Sequence, residues 1–96
     1  MRELKQSFCV EAPDDSMAPV IKRGARVDLD RSLDPRTDDV VLLKDGGGVW
    51  YLRTYQQGAM KRWGAKAENS LFLSMESERD QLEVIAVLTA VHGRRG

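Results

Sequence analysis

Val40-Val41-Leu42-Leu43-Lys44-Asp45-Gly46-Gly47-Gly48-Val49-Trp50-Tyr51-Leu52-Arg53-Thr54-Tyr55 decides the fold. The continuous apolar run Val40-Val41-Leu42-Leu43 fits a central strand. Lys44-Asp45-Gly46-Gly47-Gly48 is a hairpin signal, because glycine reaches positive φ at little cost. The run from Val49 to Tyr55 is rich in aromatic and β-branched residues, so it is predicted to pair back as the next strand.

Outward from this hairpin, the same kind of signal recurs. On the N-terminal side, Arg26-Val27-Asp28-Leu29-Asp30 alternates charged and apolar residues, the period-2 pattern of a half-buried strand. Ser7-Phe8-Cys9-Val10-Glu11 reads as a first strand, ended by Pro13. Asp14-Asp15-Ser16 then predicts a turn into one short helix. Asp15 or Ser16 would cap it, Pro19 would sit in its first turn, and Met17, Val20 and Ile21 would face inward. Residues 31–38 are polar, contain Pro35 and predict a loop. On the C-terminal side, Gln56-Gln57-Gly58 predicts a turn and Ala59-Met60-Lys61-Arg62-Trp63 a short strand. Ala67-Glu68-Asn69-Ser70 reads as a loop, Leu71-Phe72-Leu73 as a strand and residues 76–80 as a charged connection. Residues 82–91 form the last strand, followed by the tail Arg94-Arg95-Gly96. Short strands, tight turns and a single short helix predict an all-β, barrel-like domain. Both tryptophans read as core.

The chain has 96 residues, of which 42% are hydrophobic, enough for one core and one domain. Fifteen basic and fifteen acidic residues cancel. A free-standing nucleic-acid binder usually carries a basic excess, so any DNA-reading part is expected outside this chain. Cys9 is the sole cysteine, which excludes an internal disulfide and predicts a buried, reduced thiol. No apolar run approaches membrane-spanning length, and Met1-Arg2-Glu3-Leu4-Lys5 is not a signal peptide; a cytoplasmic protein is expected. His92 has no Cys or His partner at ligand spacing, so neither a metal nor a cofactor is expected.

Asp15-Ser16-Met17-Ala18-Pro19-Val20-Ile21, followed by Gly24, resembles the nucleophile segment of the LexA and phage CI repressor family. That family of self-cleaving domains includes UmuD-like proteins and is distantly similar to bacterial signal peptidases. Glu68-Asn69-Ser70-Leu71-Phe72 resembles its Pro-Glu-Asn-small-x-aromatic segment, and residues 82–91 resemble its last strand. The resemblance runs from Ser7 to Val91. It implies a small, barrel-like LexA C-terminal fold with Ser16 at the nucleophile position. It also implies a helix-turn-helix DNA-binding domain N-terminal to this one.

A serine hydroxyl attacks only when a base takes its proton. The resemblance implies a neutral lysine on the strand after the hairpin, its amine kept unprotonated by burial. Here that strand reads Trp50-Tyr51-Leu52-Arg53-Thr54 and contains no lysine. The lysine position falls on Leu52 or on Arg53. Leucine offers no base, and arginine, whose guanidinium is too basic to give up its proton at ordinary pH, stays protonated. Arg53 is left a structural role as a hydrogen-bond donor to Ser16. Lys61, in Met60-Lys61-Arg62-Trp63, superficially copies the family's Lys-Arg pair. Only Gly64, Ala65 and Lys66 separate Trp63 from Ala67-Glu68-Asn69, which places Lys61 on the wrong strand. Asp14 stands where the family often has glycine, and Gly24-Ala25 replaces its Gly-Asp. A carboxylate at position 14 disfavours an oxyanion beside Ser16. Neither Ala-Gly nor Cys-Gly, the family's common target bonds, occurs in the chain.

Three readings follow. The first is a dimerisation module that brings two DNA readers to a two-fold operator, where linkage raises affinity without new DNA contacts. The last strand and tail are its expected seam, which Val87→Asp is expected to weaken. The second is an active autopeptidase using Ser16 with Lys61 or another lysine of the chain. The third is a cleavage groove reused for a peptide or protein, since extended segments pair readily with strand edges. The sequence favours the first, as a homodimer with impaired catalysis; it identifies no inducer protein and gives no sign of a membrane partner.

Overall fold

Seven strands form one antiparallel sheet in the computed structural model, which describes residues 6–92. They are β1 (Ser7–Glu11), β2 (Arg26–Asp30), β3 (Val40–Lys44), β4 (Trp50–Gln57), β5 (Trp63–Lys66), β6 (Met75–Glu76) and β7 (Glu83–His92). Their order is β1-β2-β7-β3-β4-β5-β6. The last strand therefore lies inside the sheet, between β2 and β3, and the all-β expectation holds. The tail at 94–96 and the start at 1–5 lie outside the described residues.

The β3–β4 hairpin forms as its sequence predicts, with Leu42 opposite Leu52 and Leu43 opposite Tyr51. Asp45 closes it. Its Oδ1 accepts the N–H groups of Gly47 and Val49 at 2.9 and 3.0 Å, and its Oδ2 accepts the Tyr51 hydroxyl at 2.9 Å. Those bonds, the Val49 amide foremost, hold the Asp45 carboxyl below its ordinary pKa. Gly48 takes a φ of 86°, which a side chain would resist.

Alternation along the strands splits the apolar side chains into two clusters. Leu42, Leu52 and Ala86 join Val27, Leu29, Ala12, Met17, Ile21 and Ala25 in one. Val41, Leu43, Tyr55, Ala65 and Val87 form the other, with Tyr51, Trp63 and Met75 against it. Register shifts between Asp28 and Leu29, and between Leu42 and Leu43, mark where β7 is bulged against its neighbours.

Several local expectations are corrected. No helix forms among the described residues; residues 16–20 are turns. Asp15 O accepts the Ala18 N–H at 3.0 Å and Asn69 Nδ2 at 2.9 Å, Ser16 O accepts the Asn69 N–H at 2.9 Å, and Met17 O accepts the Ile21 N–H at 2.9 Å, a single helix-like turn that does not propagate. Pro19 also supplies no N–H to a helical ladder. Met17 and Ile21 are buried, but Val20 is 61% exposed. Cys9 is exposed, because β1 is an edge strand whose Phe8 and Val10 turn inward and whose odd residues turn out. Trp50 is half-exposed and Trp63 only partly buried. The strand predicted at 59–63 begins only at Trp63. Positive φ angles at Met60 and Lys61 and a bond from Gly58 N–H to Arg62 O make the preceding stretch a turn. Leu71-Phe72-Leu73 is a loop rather than a strand, and the short β6 follows it. Val87 is 3% exposed within the second cluster. A charge there breaks the core and does not probe a dimer seam.

Candidate functional site

Ser16 sits in the loop between β1 and β2. Two backbone bonds zip the base of that loop, from Ala12 N–H to Ala25 O at 2.8 Å and from Gly24 N–H to Ala12 O at 2.9 Å. Met17 and Ile21 anchor it by burial in the first cluster. Between these anchors the Ser16 side chain turns inward and is 2% exposed.

β4 brings Arg53 to it. The Arg53 Nη1 donates to Ser16 Oγ at 2.7 Å and to the Leu52 carbonyl at 2.8 Å. Leu52, the other position left open by the sequence, points into the first apolar cluster and contributes no polar group. The residue that meets the serine is therefore arginine. Arg53 is 5% exposed, and its Nε has no hydrogen-bond partner. Burial pulls the guanidinium below its ordinary pKa, and the charges of Asp14 and Tyr51 oppose that pull. The Tyr51 ring lies under the guanidinium, 5.2 Å from its carbon to the ring centroid, and gives a cation–π contact.

Asp14 occupies the other side of the serine. Its Oδ1 accepts the Ser16 backbone N–H at 2.9 Å. Burial disfavours the charged form of Asp14, but its bonds to Ser16 and the nearby cations Arg53 and Arg23 outweigh that, leaving the pKa below its ordinary value. The carboxylate stays charged at neutral pH and keeps the Ser16 N–H engaged.

The segment after β5 completes the frame. Thr54 Oγ1 donates to Glu68 Oε2 at 2.7 Å, tying this segment to β4. Asn69 ties it to the serine loop through the two bonds described above, and its Oδ1 accepts the Leu71 N–H at 3.0 Å. Asn69 thus holds two successive carbonyls of the serine loop, Asp15 O through its side chain and Ser16 O through its backbone N–H. Neither role was readable beforehand. The Glu68-Asn69 pair signalled a family segment, not a clamp, because its partners lie 14 and 54 positions away in the chain.

Lys61 is not brought to this site. It lies exposed in the turn between β4 and β5, past Gln57. Arg53 and Gln57 are four positions apart on β4, so at about 3.3 Å per residue the turn begins roughly 13 Å beyond the serine's partner. Among the described residues no group of His, Cys, Asp and Glu is arranged to hold a metal.

The chain is thus an antiparallel β domain in which a loop buries a serine against a side chain from a hairpin strand. The Peptidase S24-like family matches residues 1–89, and the chain belongs to that family. No curated protein matches the sequence.

Proposed function

We propose that this domain is the dimerisation module of a phage-type transcriptional repressor whose serine site no longer cleaves. The observation that carries the loss of catalysis is the 2.7 Å bond from Arg53 Nη1 to Ser16 Oγ. A general base accepts the hydroxyl proton; a guanidinium donates one and has no free lone pair at ordinary pH. Arg53 therefore holds the serine oxygen as an acceptor and lowers its electron density. The engagement of the Ser16 N–H by Asp14 supports the same reading. That N–H is a natural donor to an oxyanion, and a resident carboxylate repels the charge it would stabilise. A DNA reader in an N-terminal domain and self-association through this one then account for function, with paired half-sites supplying affinity.

The test is fragmentation of the natural full-length protein. It is incubated at alkaline pH, where a lysine base would be neutral, and followed by intact mass spectrometry with Ser16→Ala alongside. No Ser16-dependent fragment is expected; a fragment absent only from the Ser16→Ala sample overturns the reading. The dimer seam on β7 is tested at Val91, which is 43% exposed. Val91→Asp is expected to shift sedimentation toward monomer, and an unchanged dimer removes that seam.

A further inference from the structure

A groove of about 370 Å³ adjoins the serine site, lined by Tyr51, Arg53, Leu71, Phe72, Leu73 and Met75 among others. Two features of its lining are unusual together. Leu71 and Leu73 are 88% and 84% exposed on one loop, an apolar rim with no partner among the described residues. Beside it lies a cation that no carboxylate among the described residues contacts. Arg53 forms no ion pair among the described residues. Both of its hydrogen bonds run through Nη1 to neutral oxygens, and Nε donates to nothing. Asp14 attracts it through space but spends its Oδ1 on the Ser16 N–H. Arg79 and Asp80, also on the groove, are paired with each other at 2.9 Å and add no net charge to it. A buried guanidinium left in this state is poorly compensated, and a carboxylate is the group its planar fork fits best. The groove falls in the size range of small-molecule sites, and its walls are mostly apolar.

We infer that this groove binds a small carboxylic acid with an apolar body, its carboxylate on Arg53 and its body against Tyr51 and the Leu71–Leu73 loop. The assignment rests on the reading that Ser16 is not a working nucleophile. It also supplies what that reading lacks. A repressor that cannot cut itself needs another input to release DNA, and a ligand beside the clamped Ser16 loop is placed to give one.

The probe is 3-phenylpropionate, titrated calorimetrically into the natural full-length protein, with 3-phenylpropanamide and a capped tripeptide acid as comparisons. The acid is expected to bind at least about tenfold more tightly than the amide, because only the acid forms a charge-assisted hydrogen bond with the guanidinium. Amide NMR shifts are expected at Tyr51 and at residues 71–75. Arg53→Met should erase the difference between acid and amide. Leu73→Asp changes an exposed side chain and leaves the fold intact; it should weaken the acid by about tenfold through lost apolar contact and charge repulsion. Equal affinities for acid and amide, no binding, unchanged affinity in Leu73→Asp, or binding of the tripeptide alone each overturn the assignment. Ser16-dependent fragments in the same samples would sink the non-catalytic reading instead. An intact protein that ignores the acid sinks only the ligand site.

Discussion

The two apolar clusters are made from different kinds of sequence. The buried residues of the second, Val41, Leu43, Tyr55, Ala65 and Val87, all lie on strands. Of the nine buried residues of the first, four (Ala12, Met17, Ile21 and Ala25) come from the irregular stretch that carries Ser16. Ladder hydrogen bonds hold the second cluster, and the pleat aims its side chains. The first depends in part on single bonds to residues distant in sequence, from Asn69 to the Asp15 and Ser16 carbonyls and from Arg53 to the Ser16 hydroxyl. A family scaffold can therefore keep its sheet while the chemistry of its serine loop drifts, because the loop's contacts are few and separable.

Truncation in the strand-built cluster gives the largest expected effect. Leu43 is fully buried, and Leu43→Ala should destabilise the domain by about 2–5 kcal/mol, visible as a lower urea midpoint with loss of all tertiary signal together. Asn69→Ala comes next. It leaves the Asp15 carbonyl without the Asn69 amide and removes the Leu71 N–H acceptor, an expected loss of about 1–2 kcal/mol. The contrast lies in where the loss appears. Hydrogen exchange should speed up around residues 15–21 and 68–72 in Asn69→Ala while amides of β3 and β7 keep their protection. Uniform acceleration over the whole sheet would show that the loop and the sheet are one cooperative unit, and the comparison would fail.

The same division decides what the sequence makes legible. The β3–β4 hairpin, the alternation of β2 and the long β7 were readable because burial repeats every second residue and Asp45 with glycine marks the turn. Ser16 was readable through its motif, and so was the absence of lysine from β4. What was not readable depends on partners far away in sequence. The short helix predicted after Asp14-Asp15-Ser16 does not form: Pro19 has no N–H to offer Asp15 O, and Asn69 bonds the Asp15 and Ser16 carbonyls, a contact no local pattern encodes. Leu71-Phe72-Leu73 has strand composition but joins no strand, since the Leu71 and Phe72 N–H groups bond back to Asn69 in a local turn. Cys9 was misread because residue-type burial habits ignore which face of an edge strand is free. The choice between Leu52 and Arg53 is a question of one residue in register, which is one face of the sheet, and only the pairing of β4 with β3 answers it.

Arg53 sharpens the comparison at smaller energetic scale. Arg53→Met removes a buried cation that no carboxylate among the described residues contacts, with Asp14 attracting it only through space, and conserves much of the volume. Its stability should stay within about 1 kcal/mol of the parent, unlike Leu43→Ala. Arg53→Lys changes chemistry more than stability. It places an amine, whose pKa burial can lower, where the guanidinium now meets Ser16. Reaction of Ser16 with a fluorophosphonate should rise by about tenfold or more at pH near 9 over the parent, within the range a positioned base contributes. An unreactive lysine variant would show that Asp14 alone suffices to silence the serine.

The smallest effect isolates Asp14. Its folded pKa lies below the ordinary value of 3.8, so its ionised form is favoured by folding. The stability it contributes is complete above the unfolded pKa and disappears as pH falls through the lowered folded value. The contribution is expected to be under about 1 kcal/mol, since the carboxylate is partly solvated and screened. Asp14→Asn keeps an oxygen that can accept the Ser16 N–H but removes the charge. Urea midpoints of the parent and Asp14→Asn, compared from pH 7 down to about pH 2, should be separated at neutral pH and converge as Asp14 protonates. A constant separation across that window would mean that the bond to Ser16 matters through geometry alone. The negative charge beside the serine would then stabilise nothing, and its remaining consequence would be repulsion of an oxyanion.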